Sequence, residues 1–346
     1  MLVRTLLLAS LACSSAAPVA PTDGMLIAAD TLFAAGTYHL PNGVRVVADG
    51  VTLDLGGASL VGSGAGAGAG VSVEGVANVT VTSSLPGASL SGYFYGFVAQ
   101  NVSGLLVEDI DLSSNWADPK ANSTWLDINA RPDLTDKVNL GGGAFLRGAA
   151  RAELRRCVAS QQENGFDVFD SVGVVVRNCT ASHNVGWGVH LFNTTASLVE
   201  GCVLDHNIRQ GDGDSAGLLL VYGSSHNRIV GNSFQYSGDG AFIGNENGCP
   251  SNFNVFEDND ASHSSANAFE ATFSNGNVFR RNRASYSSYG FWLGYSYKCV
   301  RAADASPPRP QPCLTRPRAP FTVRRSRTTK SSATGGGSTS TTGSTT

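Results

Sequence analysis

Three side chains suited to proton transfer sit close to one another in the repeat phase of this 346-residue chain: Arg147 in GGAFLR, Asp167 in NGFDVF and His190 in WGVHLF. An imidazole titrates near neutrality and suits a general base. A guanidinium or a protonated carboxyl beside it would quiet a substrate carboxylate, so the trio fits proton abstraction next to a carboxylate. Asp167 and His190 each stand two residues after a glycine, Gly165 and Gly188, and Arg147 stands four after Gly143. Two residues after the corresponding glycine or alanine of each repeat come Phe145, Asp167, His190, Leu219, Phe242, Glu270 and Trp292. Aromatic members of such a row, Phe145, Phe242 and Trp292, suit sugar rings, and Glu270 adds a carboxyl.

The elements that must hold these residues follow from the same spacing. Gly143, Gly165, Gly188, Gly217, Gly240, Ala268 and Gly290 open apolar runs at steps of 22, 23, 29, 23, 28 and 22 residues. A core period of 22–23 with two short insertions points to a solenoid of strands and turns. Every copy alternates with period two, and none holds a helix-length run at 3.6 spacing. The fold expected is therefore all-β, a parallel β-helix with one coil per repeat.

Successive strand residues face opposite sides, which fixes the register. Phe166/Val168, Val189/Leu191, Leu218/Leu220, Ala241/Ile243, Phe269/Ala271 and Phe291/Leu293 face the core, and the row containing Asp167 and His190 faces out. Adjacent rungs lie about 4.8 Å apart, so Asp167 and His190 are neighbours and Arg147 converges on them. Asp167 and Glu270 are four rungs apart, about 19 Å at that spacing, too far for the roughly 5–9.5 Å carboxyl pair of a glycosidase. Cys157, Cys179, Cys202, Asn232, Asn259 and Asn282 form an inward column in which amides bond to one another and to backbone, with cysteine as the small apolar substitute. His183, His206, Tyr236, His263 and Tyr286 form a second column at a turn, expected to stack. A linear row of imidazoles does not converge on a metal.

Lys and Arg total 24 against 27 Asp and Glu, a net charge of −3, which disfavours a nucleic-acid partner. Residues 1–17 carry Arg4, an apolar run and small residues, the pattern of a secretion signal and not of a membrane span. A secreted, extracellular location follows, with Asn78, Asn101, Asn122, Asn178 and Asn193 as glycosylation sequons. The β-helix domain is expected over 18–297, with irregular first coils up to 112 and a long insertion at 113–142 carrying Trp116, Trp125, Lys120, Arg131 and Lys137. A Pro/Arg-rich then Gly/Ser/Thr-rich tail over 298–346 cannot bury a core. Cys157, Cys179 and Cys202 are expected as buried free thiols. Cys249, Cys299 and Cys313 are better placed for oxidation, in a pairing that spacing leaves open. No cofactor or metal site is expected beyond a weak calcium candidate at Asp212 and Asp214 in QGDGDSAG, and a solenoid of this kind is expected as a monomer.

Over about 50–297 the repeats resemble the right-handed parallel β-helix superfamily of pectin-lyase-like topology, and within it NosD-type periplasmic proteins and mannuronan epimerases. NGFDVFD at 164–170 is similar to the epimerases' Tyr-Gly-Phe-Asp-Pro-His signature. Gly165, Phe166 and Asp167 match, and Asn164, Val168 and Phe169 stand where the signature has Tyr, Pro and His. The resemblance implies a right-handed helix, a polysaccharide partner, Asp167 as the catalytic carboxylate, and epimerase or lyase chemistry on a uronate polymer. A non-catalytic carbohydrate-binding β-helix is the alternative.

Overall fold

The computed structural model describes residues 17–299 except 130, 132, 210–213 and 245–247. Residues 1–16 of the signal expected over 1–17, Asp212, Cys313 and the tail from 300 onward lie outside the described residues.

Each coil pairs with the coils before and after it, always in parallel. Three sheets result, of eleven, ten and three strands, each built from strands taken in chain order. The eleven-stranded sheet carries the six-residue strands Tyr95–Gln100, Gly142–Arg147, Asn164–Phe169, Trp187–Phe192 and Ala216–Val221. It continues through Asp239–Ile243 and Asn267–Ala271 to Tyr289–Trp292. Among the described residues the only helical element is one 3-10 turn, Ala121–Ser123. Period-two alternation explains the outcome: one alternate set of each strand fills the interior and the other stands outside.

The interior set stacks as spacing predicts. Ala144, Phe166, Val189, Leu218, Ala241, Phe269 and Phe291 are register partners on successive coils. All but the last are buried in one continuous core. The opening glycines are required by close approach: a Cβ on Gly165 would run into the Gly188 carbonyl oxygen and the Ala181 side chain. The first coils differ from the sequence expectation. Val44, Val71 and Phe97 lie in register with Ala144, so these coils belong to the same ladder, and their longer, glycine-rich turns hid the period.

The inward Cys/Asn column is present. Each thiol of Cys157, Cys179 and Cys202 donates weakly to a carbonyl of the preceding coil, at 3.5–3.6 Å to Val107, Leu154 and Val176. Asn232, Asn259 and Asn282 donate to the equivalent carbonyls of Val199, Ile229 and Phe256 at 2.9 Å. Their amides also link, Asn232 to Asn259 at 3.0 Å and Asn259 to Asn282 at 2.9 Å. The three cysteines are unpaired and buried. Asn227, Asn254 and Asn277 form a further ladder of the same kind. The turn column stacks as well, with ring centroids 4.6 Å apart for His183 and His206 and 4.8–4.9 Å onward through Tyr236, His263 and Tyr286. All five turn residues have φ between 57° and 65°, a left-handed corner whose repetition holds the rings parallel.

Candidate active site

Register places Phe145, Asp167, His190, Leu219, Phe242, Glu270 and Trp292 in one outward column, each beside the next. The insertion changes what that column meets. Residues 113–142 fold back over it, and Leu126, Ile128 and Leu140 join Phe145, Phe169, Trp187, Phe192, Leu219 and Phe242 in a second apolar cluster outside the helix. Phe145, Asp167 and His190 are consequently fully buried, and Phe242 nearly so. The aromatic rings Phe145 and Phe242, expected to meet sugar, meet the insertion instead. The roof stops short of the last rung: Glu270 is still buried, at 6% exposed, and Trp292 beside it is 48% exposed.

Beneath the roof Asp167 is the centre of a polar cluster. Its Oδ2 accepts the Tyr95 hydroxyl at 2.6 Å, and the Asn164 amide donates to both oxygens at 3.1–3.2 Å. Tyr95 stands two rungs away, in the column that runs through Gly142 to Asn164. Because Gly142 has no side chain, the phenol can reach across it. Burial first, and then the Asp167 charge, push the Tyr95 phenol well above its ordinary value, so it stays a donor. His190 Nδ1 lies 3.3 Å from Asp167 Oδ1, within ion-pair range but not aligned for a hydrogen bond. Its ring touches Trp187 and Phe169 with centroids 4.6 and 4.8 Å away, and neither nitrogen has a hydrogen-bond partner. Arg147 does not complete the trio. Its Nε is engaged at 3.3 Å by Asp170, at the far end of the strand where the side chain is half exposed.

The insertion is held down by two residues that spacing did not single out. Arg209 is fully buried and donates to Thr124 Oγ1 at 2.9 Å and to the Val138 carbonyl at 3.3 Å, both on the insertion, while pairing with Glu163. Glu163 in turn accepts the Asp118 N–H at 2.8 Å. Burial pushes the Glu163 carboxyl up to about 8 against the opposing pull of Arg209. Of the other insertion residues, Lys137 lies over the Trp116 ring of the same segment at 4.9 Å, and Arg131 donates to the Tyr222 hydroxyl of the solenoid at 2.7 Å.

At the roof's edge Asp239 and Glu270 form a carboxyl pair joined by a side-chain hydrogen bond. Asp239 Oδ1 accepts the Asn267 N–H at 2.7 Å, and the Asn267 amide donates to Glu270 at 2.6 Å. Burial raises both carboxyls, Asp239 to about 7 and Glu270 to about 9, and for Glu270 the Asp239 charge adds to it. Burial thus favours the protonated form at this pair. The Asp214 charge raises both further. Asp239 was legible in one respect: it occupies the position before Gly240 where other coils carry Asn164 and Asn267. Among the described residues no group of three or more His, Cys, Asp or Glu is placed to hold a metal. No helix among them is long and apolar enough to cross a membrane.

The family model described as "Right handed beta helix region" matches residues 62–234. The chain belongs to the right-handed parallel β-helix family. Among solved structures the β-helix is similar to an alginate lyase from Paenibacillus sp. str. FPU-7, at 13% identity and TM-score 0.54, over 82% of this chain and 93% of that one. It is also similar to a mutant of the periplasmic alginate epimerase AlgG, at 12% identity and TM-score 0.44, over 74% and 67% of the two chains. A third is the catalytic domain of a GH87 alpha-1,3-glucanase in complex with nigerose, at 10% identity and TM-score 0.46, over 82% and 62%. No curated protein matches the chain. At 13% identity the likeness to the alginate lyase establishes the shared fold alone.

Proposed function

We propose that this β-helix protein acts on a polysaccharide laid along the outward face of its long sheet, at the end the insertion leaves open. The Asp239–Glu270 pair carries this reading. A carboxylic acid kept protonated at neutral pH, beside an ionisable partner and one rung from the exposed Trp292 ring, is suited to general acid catalysis at a glycosidic oxygen. Trp292 would bear the sugar face, and Asn267 fixes the Glu270 carboxyl. The local charge from Asp214 and the ionisable Asp239 favours a neutral polymer over a polyanion. A polysaccharide as substrate class agrees with the similar alginate lyase, and an extracellular location with the leader-like residues 1–17.

Uronate epimerase or lyase chemistry is the second reading, and one observation favours it. Tyr95 donates to Asp167, His190 stands beside that carboxyl with both imidazole nitrogens lacking a hydrogen-bond partner, and Tyr95 supplies the phenol that Asn164 lacks. This reading requires the insertion to lift, and Arg147 would have to leave Asp170.

The experiment is a panel of neutral glucans, fructans, alginate and pectin, followed by reducing ends, unsaturated-product absorbance and C5 proton exchange. On a polymer that the wild type turns over, Glu270→Gln should lower the rate by about two to four orders of magnitude, the usual contribution of an acid–base group. His190→Gln should leave it near wild type. The opposite pattern, with elimination or proton exchange on a uronate polymer, gives the chemistry to Asp167 and His190. Binding without turnover that Trp292→Ala abolishes makes the face a non-catalytic sugar platform.

A further inference from the structure

Among the described residues the solenoid's hydrophobic core is covered at its first coil and exposed at its last. Ile27 and Phe33 in the first coils are about 1% exposed, and the inward residues Leu218, Leu220, Ala241, Ile243, Phe269 and Ala271 are 0–1% exposed. On the last coil the equivalent Phe291 is 45% and Leu293 37% exposed, although Phe291 still stacks on Phe269 with centroids 5.1 Å apart. The strand Tyr289–Trp292 is the end of the eleven-stranded sheet, and among the described residues nothing pairs with its outer edge. It also lacks the devices that protect such edges, with no lysine, proline or inward charge in the strand.

The sequence that follows does not continue the repeat. Residues 300–346 contain Pro307, Pro308, Pro310, Pro312, Pro317 and Pro320, then a Gly/Ser/Thr run. A proline cannot donate to a ladder, and this stretch holds no alternating apolar run of coil length. The end is also free of unbalanced arginine charge. Arg280, Arg281 and Arg283 are each paired with an acid of the coil behind, Glu257, Asp258 or Asp260. A bare strand edge is self-complementary, because two copies related by a twofold axis present each other the same alternation of N–H and C=O groups.

We propose that two copies of this chain join end to end through their last coils, with Tyr289–Trp292 pairing antiparallel to its twin and Phe291 and Leu293 of each covering the open core of the other. The assembly is a closed twofold dimer and departs from the monomer expected for an isolated solenoid.

Sedimentation and light scattering of the full chain over a range of concentrations should give twice the chain mass. Phe291→Lys and Leu293→Lys, made singly, should each give the monomer with strand circular dichroism unchanged. In the wild type, exchange of the backbone amides of 289–293 should slow as concentration rises, a readout that needs no variant. A wild type that remains monomeric with concentration-independent exchange overturns the proposal. So does a dimer that survives both substitutions, which places the contact elsewhere. Growth into polymers beyond the dimer overturns the twofold arrangement in favour of head-to-tail stacking.

Discussion

The position of a proton on Glu270 decides what this carboxyl can do, and the fold sets that position. Asp239 and Glu270 are held above their ordinary carboxylate values in the native chain, to about 7 and about 9, chiefly by burial. Between about pH 4.5 and 9 the folded state therefore binds more protons at these two sites than the unfolded chain does, and stability falls as pH rises through that window. Glu270→Gln removes the Glu270 share of this slope, since the amide does not titrate. Melting temperatures of variant and wild type should be close near pH 5, and the variant should gain on the wild type steadily toward pH 9. A difference that stays flat with pH would show that Glu270 is not held protonated. Asp167 is buried too, and its oxygens accept the Tyr95 hydroxyl and the Asn164 amide, so its acceptors are satisfied.

At the level of elements, the strands and their register were legible because period-two alternation and the opening glycines repeat in every coil. The neighbours Asp167 and His190, and the whole column from Phe145 to Trp292, follow from counting two residues past each opening residue. The roof was not legible. Residues 113–142 have no period, and Leu126, Ile128 and Leu140 are scattered among polar residues, so only tertiary packing reveals that they bury the column's middle. Arg209 escaped notice for a related reason: nothing local distinguishes it from a solvated arginine, and its partners Thr124 and Val138 come from far back in the chain. Arg209→Met leaves Glu163 without its cation and two insertion acceptors without their donor. The expected cost is about 3–5 kcal/mol, as for removal of one partner from a buried ion pair. Amides of the insertion that bond to the solenoid, Asp118 above all, should exchange faster while the central strands of the long sheet keep their protection. Adding Glu163→Gln to this variant should recover part of the loss, because no buried carboxylate is then left alone. Equal exchange in variant and wild type would mean that the roof's remaining contacts, the apolar ones of Leu126, Ile128 and Leu140 and the Arg131–Tyr222 hydrogen bond among them, suffice to hold it.

On the scale of the whole β-helix, each coil touches only the coils before and after it, so stability is close to a sum of coil and neighbour terms. Position along the solenoid should then matter as much as burial. Ile27 and Leu220 are both fully buried aliphatic residues in the long sheet, the first in an end strand with one neighbour and the second between two. Truncating either to alanine removes comparable contact and carries a local cost of about 2–5 kcal/mol. In Leu220→Ala that cost falls on two interfaces in mid-ladder and should lower the melting temperature of the whole helix. In Ile27→Ala it can be escaped by fraying the first coil alone. Exchange should speed at 25–27 and at their register partners 44–46, with the central strands and the main melting transition little changed. If instead both variants shift the main transition equally and the first coil exchanges no faster than the centre, the solenoid unfolds as one unit. The neighbour-by-neighbour account of its stability would then be wrong.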